Sequence, residues 1–219
     1  TADMPSWDTS LVTDMSSLFE QKYSFNQDIS NWDVSKVTKM DMMFSVASQF
    51  NQDLSRWNVG EVTSMSYMFN VASSFNQDIS NWNVNKVTNM EGMFNLASAF
   101  NQDLSRWDVS KVTSMWGMFK SATSFSADIT GWTPASNVQA GDMFKGATAW
   151  FNSYTSCGYD RSDAAVCTAA TYPASSGLND GPPGAWVKAT SSGCSGGTSS
   201  PFPSSAALKA AVERCLAKV

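Results

Sequence analysis

Phenylalanine recurs at Phe25, Phe50, Phe75, Phe100 and Phe125, a step of 25 residues with no insertion between them. Three further columns keep the same step. Tryptophan stands at Trp7, Trp32, Trp57, Trp82, Trp107 and Trp132. Methionine stands at Met15, Met40, Met65, Met90 and Met115, with Ala140 in the sixth place, and a second phenylalanine at Phe19, Phe44, Phe69, Phe94, Phe119 and Phe144. The shared frame is F-N-Q-D-[IL]-S-x-W-[DN]-V-x-x-V-T-x-M-x-x-M-F-x-x-A-x-x. A fixed period of this size means stacked repeats, because one unit alone cannot offset the entropy of ordering its own backbone. Trp32, Trp57, Trp82 and Trp107, with Phe44, Phe69, Phe94 and Phe119, are therefore the expected structural core. The methionine columns read as core filler rather than as metal or heme ligands.

Within a unit the apolar period changes. Met40, Met43, Phe44 and Ala47 fall at i, i+3, i+4 and i+7, the spacing of one helical face. The stretch from Ile29 to Val37 is rich in β-branched and aromatic residues and too short for a helix. The fold class expected is an α/β repeat solenoid of six 25-residue strand–helix units over residues 1–149. Its strands would lie about 4.7–4.9 Å apart in a parallel sheet. A second period of 50 residues runs through the first: Phe25 and Phe75 open FNQDISNW, whereas Phe50 and Phe100 open FNQDLSRW. The alternation keeps Arg56 and Arg106 off adjacent units, and Lys36, Glu61 and Lys86 set opposite charges beside one another.

The two ends of the array are unlike. In the last unit FNQD decays to Phe125-Ser126-Ala127-Asp128, Pro134 replaces valine, and Val138 comes one place late. The first unit shows no decay, and its Trp7 and Val12 read as surfaces waiting to be covered. The chain opens in the middle of a pattern, which suggests a processed or truncated product and a module of a longer array. Residues 150–203 are dominated by Ser, Gly, Ala, Thr and Pro and read as a loop-rich connector. Residues 204–219 read as a capped amphipathic helix, with Leu208, Val212, Cys215 and Leu216 along one face in need of a partner. Trp7, Val12, Leu208, Val212 and Leu216 are thus the candidate interaction residues.

Composition narrows the function. Histidine is absent, which removes the commonest general base and the commonest metal ligand. A net charge of −5 with no basic cluster argues against nucleic acid as a partner. No apolar run approaches the roughly 18 residues of a membrane span. The four cysteines, Cys157, Cys167, Cys194 and Cys215, all follow the repeats, so a disulfide-bearing tail and an oxidising compartment are expected. Cys157–Cys167 with Cys194–Cys215 is favoured by proximity, while three connectivities stay open. Zinc is disfavoured by the long spacings.

The polar columns carry what chemistry there is. Asp28, Asp53, Asp78, Asp103 and Asp128 stack as carboxylates, which repel unless they are solvated, hydrogen-bonded or bridged by cations. A calcium ladder is the sharper reading and a turn residue accepting backbone N–H groups the simpler one. The column after tryptophan reads Asp8, Asp33, Asn58, Asn83, Asp108, so hydrogen bonding and not charge is what that site needs. Thr13, Thr38, Thr63, Thr88 and Thr113 form a hydroxyl rank of the kind ice-binding surfaces use, though without a matching second rank. No phosphate loop, nucleophile motif or distinct carboxylate pair occurs, and no cofactor is implied. An enzyme is not expected.

The W-D-V-S-x-V-T-x-M-x-x-M-F frame followed by F-N-Q-D, as in Trp82-Asn83-Val84 through Met93-Phe94 to Phe100-Asn101-Gln102-Asp103, resembles the BspA-like leucine-rich-repeat surface proteins, in particular their mycoplasma-lipoprotein type of repeat. The resemblance covers roughly residues 4 to 149. It implies a right-handed solenoid of leucine-rich-repeat character, a secreted or surface location and a link to adhesion. The segment from Phe202 to Leu216 resembles the short helix before a new repeat block in unicellular-alga members. Two functions follow as expectations. One is a non-catalytic extracellular structural module, meeting itself or a homologous module head to tail. The other is an adhesive domain for a surface glycan or protein.

Overall fold

The computed structural model describes residues 4–156, Pro183 and residues 186–188. Each 25-residue unit makes one coil, or rung, lying on the next; the first rung opens at Trp7 and the sixth at Trp132. Two sets of backbone hydrogen bonds join the rungs, and they run in opposite directions. Between Met40 and Val46 alternate N–H groups donate forward, Met40 to Ser64, Met42 to Ser66, Phe44 to Met68 and Val46 to Asn70, at 2.7–3.0 Å. The N–H groups between them close turns inside the rung, Met43 to Met40, Ser45 to Met42 and Ala47 to Phe44. On the threonine side the direction reverses, with Thr38 donating to Thr13, Thr63 to Thr38 and Thr88 to Thr63 at 2.8–2.9 Å. One isolated parallel bridge marks each interface, from Asp14–Lys39 through to Ser114–Gln139.

The strand–helix solenoid is overturned by this arrangement. Among the described residues no helix lies in the repeats before Thr148, and the bridges never extend into strands. The physical reason is spacing. Packed helices need about 8–10 Å between axes, whereas the rings of Phe44, Phe69 and Phe94 follow one another at 5.5 and 5.7 Å. A helix in every unit would hold the rungs too far apart. The chain instead turns through left-handed backbone twice per rung, at Met42 (φ 55°) and Val46 (φ 63°) and their equivalents. Of those 12 positions only Gly92, Gly117 and Gly146 are glycine. A left-handed L-residue costs about 1–2 kcal/mol, and the cost is tolerated because that turn aims the residue's own N–H at the next rung.

The core is a set of aromatic columns. Phe19 through Phe144 stack at 5.5–5.9 Å. Phe25 through Phe125, ending on Trp150, stack at 5.7–6.2 Å. Within a rung the two columns touch, as in Phe69–Phe75 at 3.9 Å. Trp32, Trp57, Trp82 and Trp107 are buried as expected, and so are Phe44, Phe69, Phe94 and Phe119. Each indole N–H donates one rung back, Trp57 to the Ile29 carbonyl, Trp82 to Leu54, Trp107 to Ile79 and Trp132 to Leu104, at 2.9–3.2 Å. Tryptophan recurs because it fills the core and carries a donor to its rim.

Regular secondary structure among the described residues lies at the ends. A 3₁₀ turn spans Met4–Ser6. Helix α1, Thr148–Ser153, leads into β1, Tyr154–Ser156, which pairs antiparallel with β2, Trp186–Lys188. The late Val138 is absorbed locally: Gln139, not Val138, donates to Thr113, and register is regained at the Ser114–Gln139 bridge. No disulfide is found among the described residues. Cys157, Cys167, Cys194 and Cys215 lie outside them, as do Leu208, Val212 and Leu216 and the helix expected over residues 204–219.

Candidate functional site

The aspartate column resolves into turns. Asp28, Asp53, Asp78 and Asp103 each accept the N–H of the serine two residues on, at 2.8–2.9 Å, and Asp128 accepts that of Thr130 at 3.1 Å. Every carboxylate thus serves its own rung, the simpler of the two readings. Among the described residues no cluster of three acidic, histidine or cysteine side chains has the arrangement of a metal site. The column after tryptophan behaves alike, with Asp33 accepting from Ser35 at 2.9 Å and Asn58 from Gly60 at 3.2 Å. Amide and carboxylate oxygens do the same job there.

Hydrogen bonds from the serine backbone, then from the serine side chain, hold the Asp28, Asp53, Asp78 and Asp103 carboxyls below the usual aspartate range. A depressed folded pKa gives stability that is present above the unfolded value, about 3.9, and lost as pH falls through the folded one. The melting temperature is therefore expected to stay level from neutral pH down to about 4.5 and to fall below about 4. Replacing the four by asparagine should flatten that acid limb. An acid limb unchanged in the asparagine variant would refute the assignment.

The FNQD frame also hides an asparagine ladder to which the sequence reading assigns no role. Asn26 Oδ1 accepts the backbone N–H of Asn51, Asn51 that of Asn76, Asn76 that of Asn101 and Asn101 that of Ser126, at 2.8–3.0 Å. Gln52, Gln77 and Gln102 add their amide donors to the same oxygens. The signal was available: Asn holds at 26, 51, 76 and 101 without once giving way to Asp, whereas the column after tryptophan exchanges the two. The threonine rank is likewise committed to the stack. Each hydroxyl from Thr38 to Thr113 donates to the threonine carbonyl one rung back, at 3.1–3.2 Å. Of the charged column, Lys86 meets Glu61 at 2.7 Å, and no ion pair joins Lys36 to Glu61.

With the columns committed to stacking, the faces at the two ends remain. At the far end the aromatic columns close. Trp150 lies on Phe125, Tyr154 stacks on Trp150 at 4.0 Å, and Trp186 stands edge-on to Phe144 at 5.4 Å. At the near end they do not. Trp7 rests on Trp32 with 50% of its surface exposed, and Leu11 (80%), Leu18 (46%) and Tyr23 (59%) of the same rung are exposed as well. Val12 is half-buried against the core. The carbonyls of Asp14, Ser16, Leu18 and Glu20 find no donor among the described residues, although their equivalents in every later interface do.

A rung frame of this kind defines a known group. Residues 1–88 and 56–157 match a family described as "Mycoplasma protein of unknown function, DUF285". The chain belongs to this family. Its membership agrees with the mycoplasma-type repeat seen in the sequence and adds no activity to it. No curated protein and no solved structure gives a significant match. For this family member the open first rung is the candidate site, with Trp7, Leu11, Leu18 and Tyr23 its large exposed apolar side chains. Of these, sequence reading singled out Trp7 alone. Leu11 sits at a position that varies between repeats, while Leu18 replaces the methionine of Met43, Met68, Met93, Met118 and Met143 and Tyr23 the Ser or Thr of its column, departures of the first unit that were open to sequence reading.

Proposed function

We propose that the chain is a non-catalytic structural module of an extracellular or cell-surface array, joined to a further module through the face of its first rung. The observation that carries the reading is the contrast between the ends, an exposed apolar face with unpaired carbonyls at one and closed aromatic columns at the other. Large exposed apolar side chains and a row of unpaired backbone groups on one rung are the features that make an uncovered edge a pairing surface. The resemblance to surface proteins and the cysteines after the repeats support the location. Among the described residues the side chains that recur on every rung are spent on stacking, which supports a structural reading.

The test is solution mass against concentration, by sedimentation or light scattering. Mass should climb with concentration, and Leu11→Asp with Leu18→Asp should abolish the rise without lowering the melting temperature. A chain that stays monomeric throughout overturns the reading. An adhesive role is the second reading, favoured by the Trp116 indole, 38% exposed with the Lys120 ammonium 5.1 Å from its ring centre. Saturable glycan or protein binding by an isolated monomer would establish that reading and displace the first.

A further inference from the structure

Outside the first rung, the large apolar side chains that stand exposed among the described residues share one flank. They are Met42, Leu96 and Trp116, each more than a third exposed, and all fall at or beside the left-handed turns of their rungs. Those turns favour residues without a bulky side chain, and the array supplies them at Ser17, Gly92, Gly117 and Asp142. Rungs two to four nevertheless place Met42, Val46, Tyr67, Val71 and Leu96 there. Left-handed backbone suits bulky residues least, so apolar side chains held in it and left in solvent point to a use outside the core.

Three successive rungs bring two aromatic rings of this flank beside a carboxylate. The Tyr67 N–H donates to the Glu91 carbonyl at 2.7 Å, and the Gly92 N–H to that of Trp116 at 2.8 Å. The Tyr67 ring reaches over Gly92, where any Cβ would collide with it, and its hydroxyl donates to Glu91 Oε1 at 2.8 Å. The Trp116 ring reaches over Gly141, whose added Cβ would meet Cδ1 at 3.0 Å. Glycines one rung on thus let both rings rest against backbone, in place before a ligand arrives. The Lys120 ammonium stands 5.1 Å from the centre of the Trp116 ring and pairs with Asp142 at 3.1 Å, and Lys145 pairs with the same carboxylate at 3.3 Å. Glu91 and Asp142 against Lys120 and Lys145 leave the flank without net charge.

We infer that this flank, centred on Tyr67, Glu91 and Trp116, binds a neutral oligosaccharide. A pyranose has an apolar C–H face to lie on an aromatic ring, and hydroxyls that donate to a carboxylate and accept from an ammonium. The balanced charge selects a neutral ligand over a phosphate or an acidic peptide. A protein partner would need roughly 800 Å² of this surface, far more than two rings and their charged rim present. Tyr67 and Trp116 stand two rungs apart, about 10 Å along the stack. That is longer than one sugar ring, so the ligand is a chain of sugars and not a monosaccharide. The inference deepens the adhesive reading by naming its ligand class. It shares no residue with the first-rung face, and a module held through that face would still present this flank.

Native electrophoresis through gels holding hydroxyethyl cellulose, mixed-linkage β-glucan or glucomannan tests it. At least one of these neutral polymers should retard the native chain. Trp116→Ala and Tyr67→Ala should each weaken the retardation roughly two- to tenfold, whereas Trp116→Phe should keep most of it. Soluble cellotetraose should compete, cellobiose less well and glucose hardly at all. Near-ultraviolet circular dichroism of the stacked aromatic rings checks that each variant is folded. Retardation that Trp116→Ala leaves unchanged, or that only dextran sulfate produces, overturns the site. No retardation in any of the gels overturns the glycan class alone, and leaves adhesion to a protein and assembly through the first rung to their own tests.

Discussion

Phe69→Ala is expected to lower the free energy of unfolding by about 3–5 kcal/mol. Phe69 is fully buried and stacks on Phe44 at 5.5 Å, Phe94 at 5.7 Å and Phe75 at 3.9 Å, with Trp82 tilted beside it at 6.4 Å. Truncation removes the ring from three stacked contacts and leaves a cavity that neither neighbouring rung can fill without breaking its own hydrogen bonds. For a body of this size the melting temperature should drop by roughly 10 °C. Phe19→Ala removes the same ring from the open rung, where it has one neighbouring rung instead of two, and should cost clearly less. In a stack held by nearest-neighbour contacts the outer change frays one unit, whereas the inner one divides the array. Equal losses for the two would show that the array does not melt as a stack.

Gly92→Ala is the second large effect. Gly92 has φ +56°, and a Cβ placed on it would lie 2.3 Å from Cε1 of Tyr67. The ring is tethered, since the Tyr67 hydroxyl donates to Glu91 at 2.8 Å. A left-handed alanine costs about 1 kcal/mol and the forced ring displacement about 1–3 kcal/mol more. Gly117 supplies the control. It has φ +59°, but its added Cβ would meet nothing nearer than Lys120 Cβ at 3.7 Å, so Gly117→Ala should show the backbone cost alone. Urea midpoints for both variants, each repeated in a Tyr67→Ala background, separate the two contributions. If the gap between Gly92→Ala and Gly117→Ala persists without the Tyr67 ring, the steric account fails.

The repeat, its register and its core were legible because burial acts on columns, and a column of tryptophan or phenylalanine is visible without coordinates. The use of Asp28 and its equivalents was legible for a related reason: an acidic residue two places before a serine can close its own turn wherever the chain goes. The local conformation was not legible. Met40, Met43, Phe44 and Ala47 meet the helical spacing, yet the same inward positions are served by two linked turns with Met42 and Val46 left-handed. What separates the alternatives is a property of the stack, the distance at which neighbouring rungs can bond, and no single unit displays it. One trace existed in the glycines at 92, 117 and 146, which fall where a helix interior disfavours them. The open face was harder still, because the departures at Leu18 and Tyr23 and the variable position of Leu11 stand out as a surface only once every other large apolar group has been accounted for.

The inter-rung hydrogen bonds also set how the molecule answers to force. They point along the stacking direction, so tension applied to its two ends loads them head-on and peels one coil at a time instead of shearing many at once. Each coil released frees 25 residues, or roughly 85 Å of extended chain. A filament built from such modules would lengthen under load in equal steps and keep its remaining coils folded while it did so.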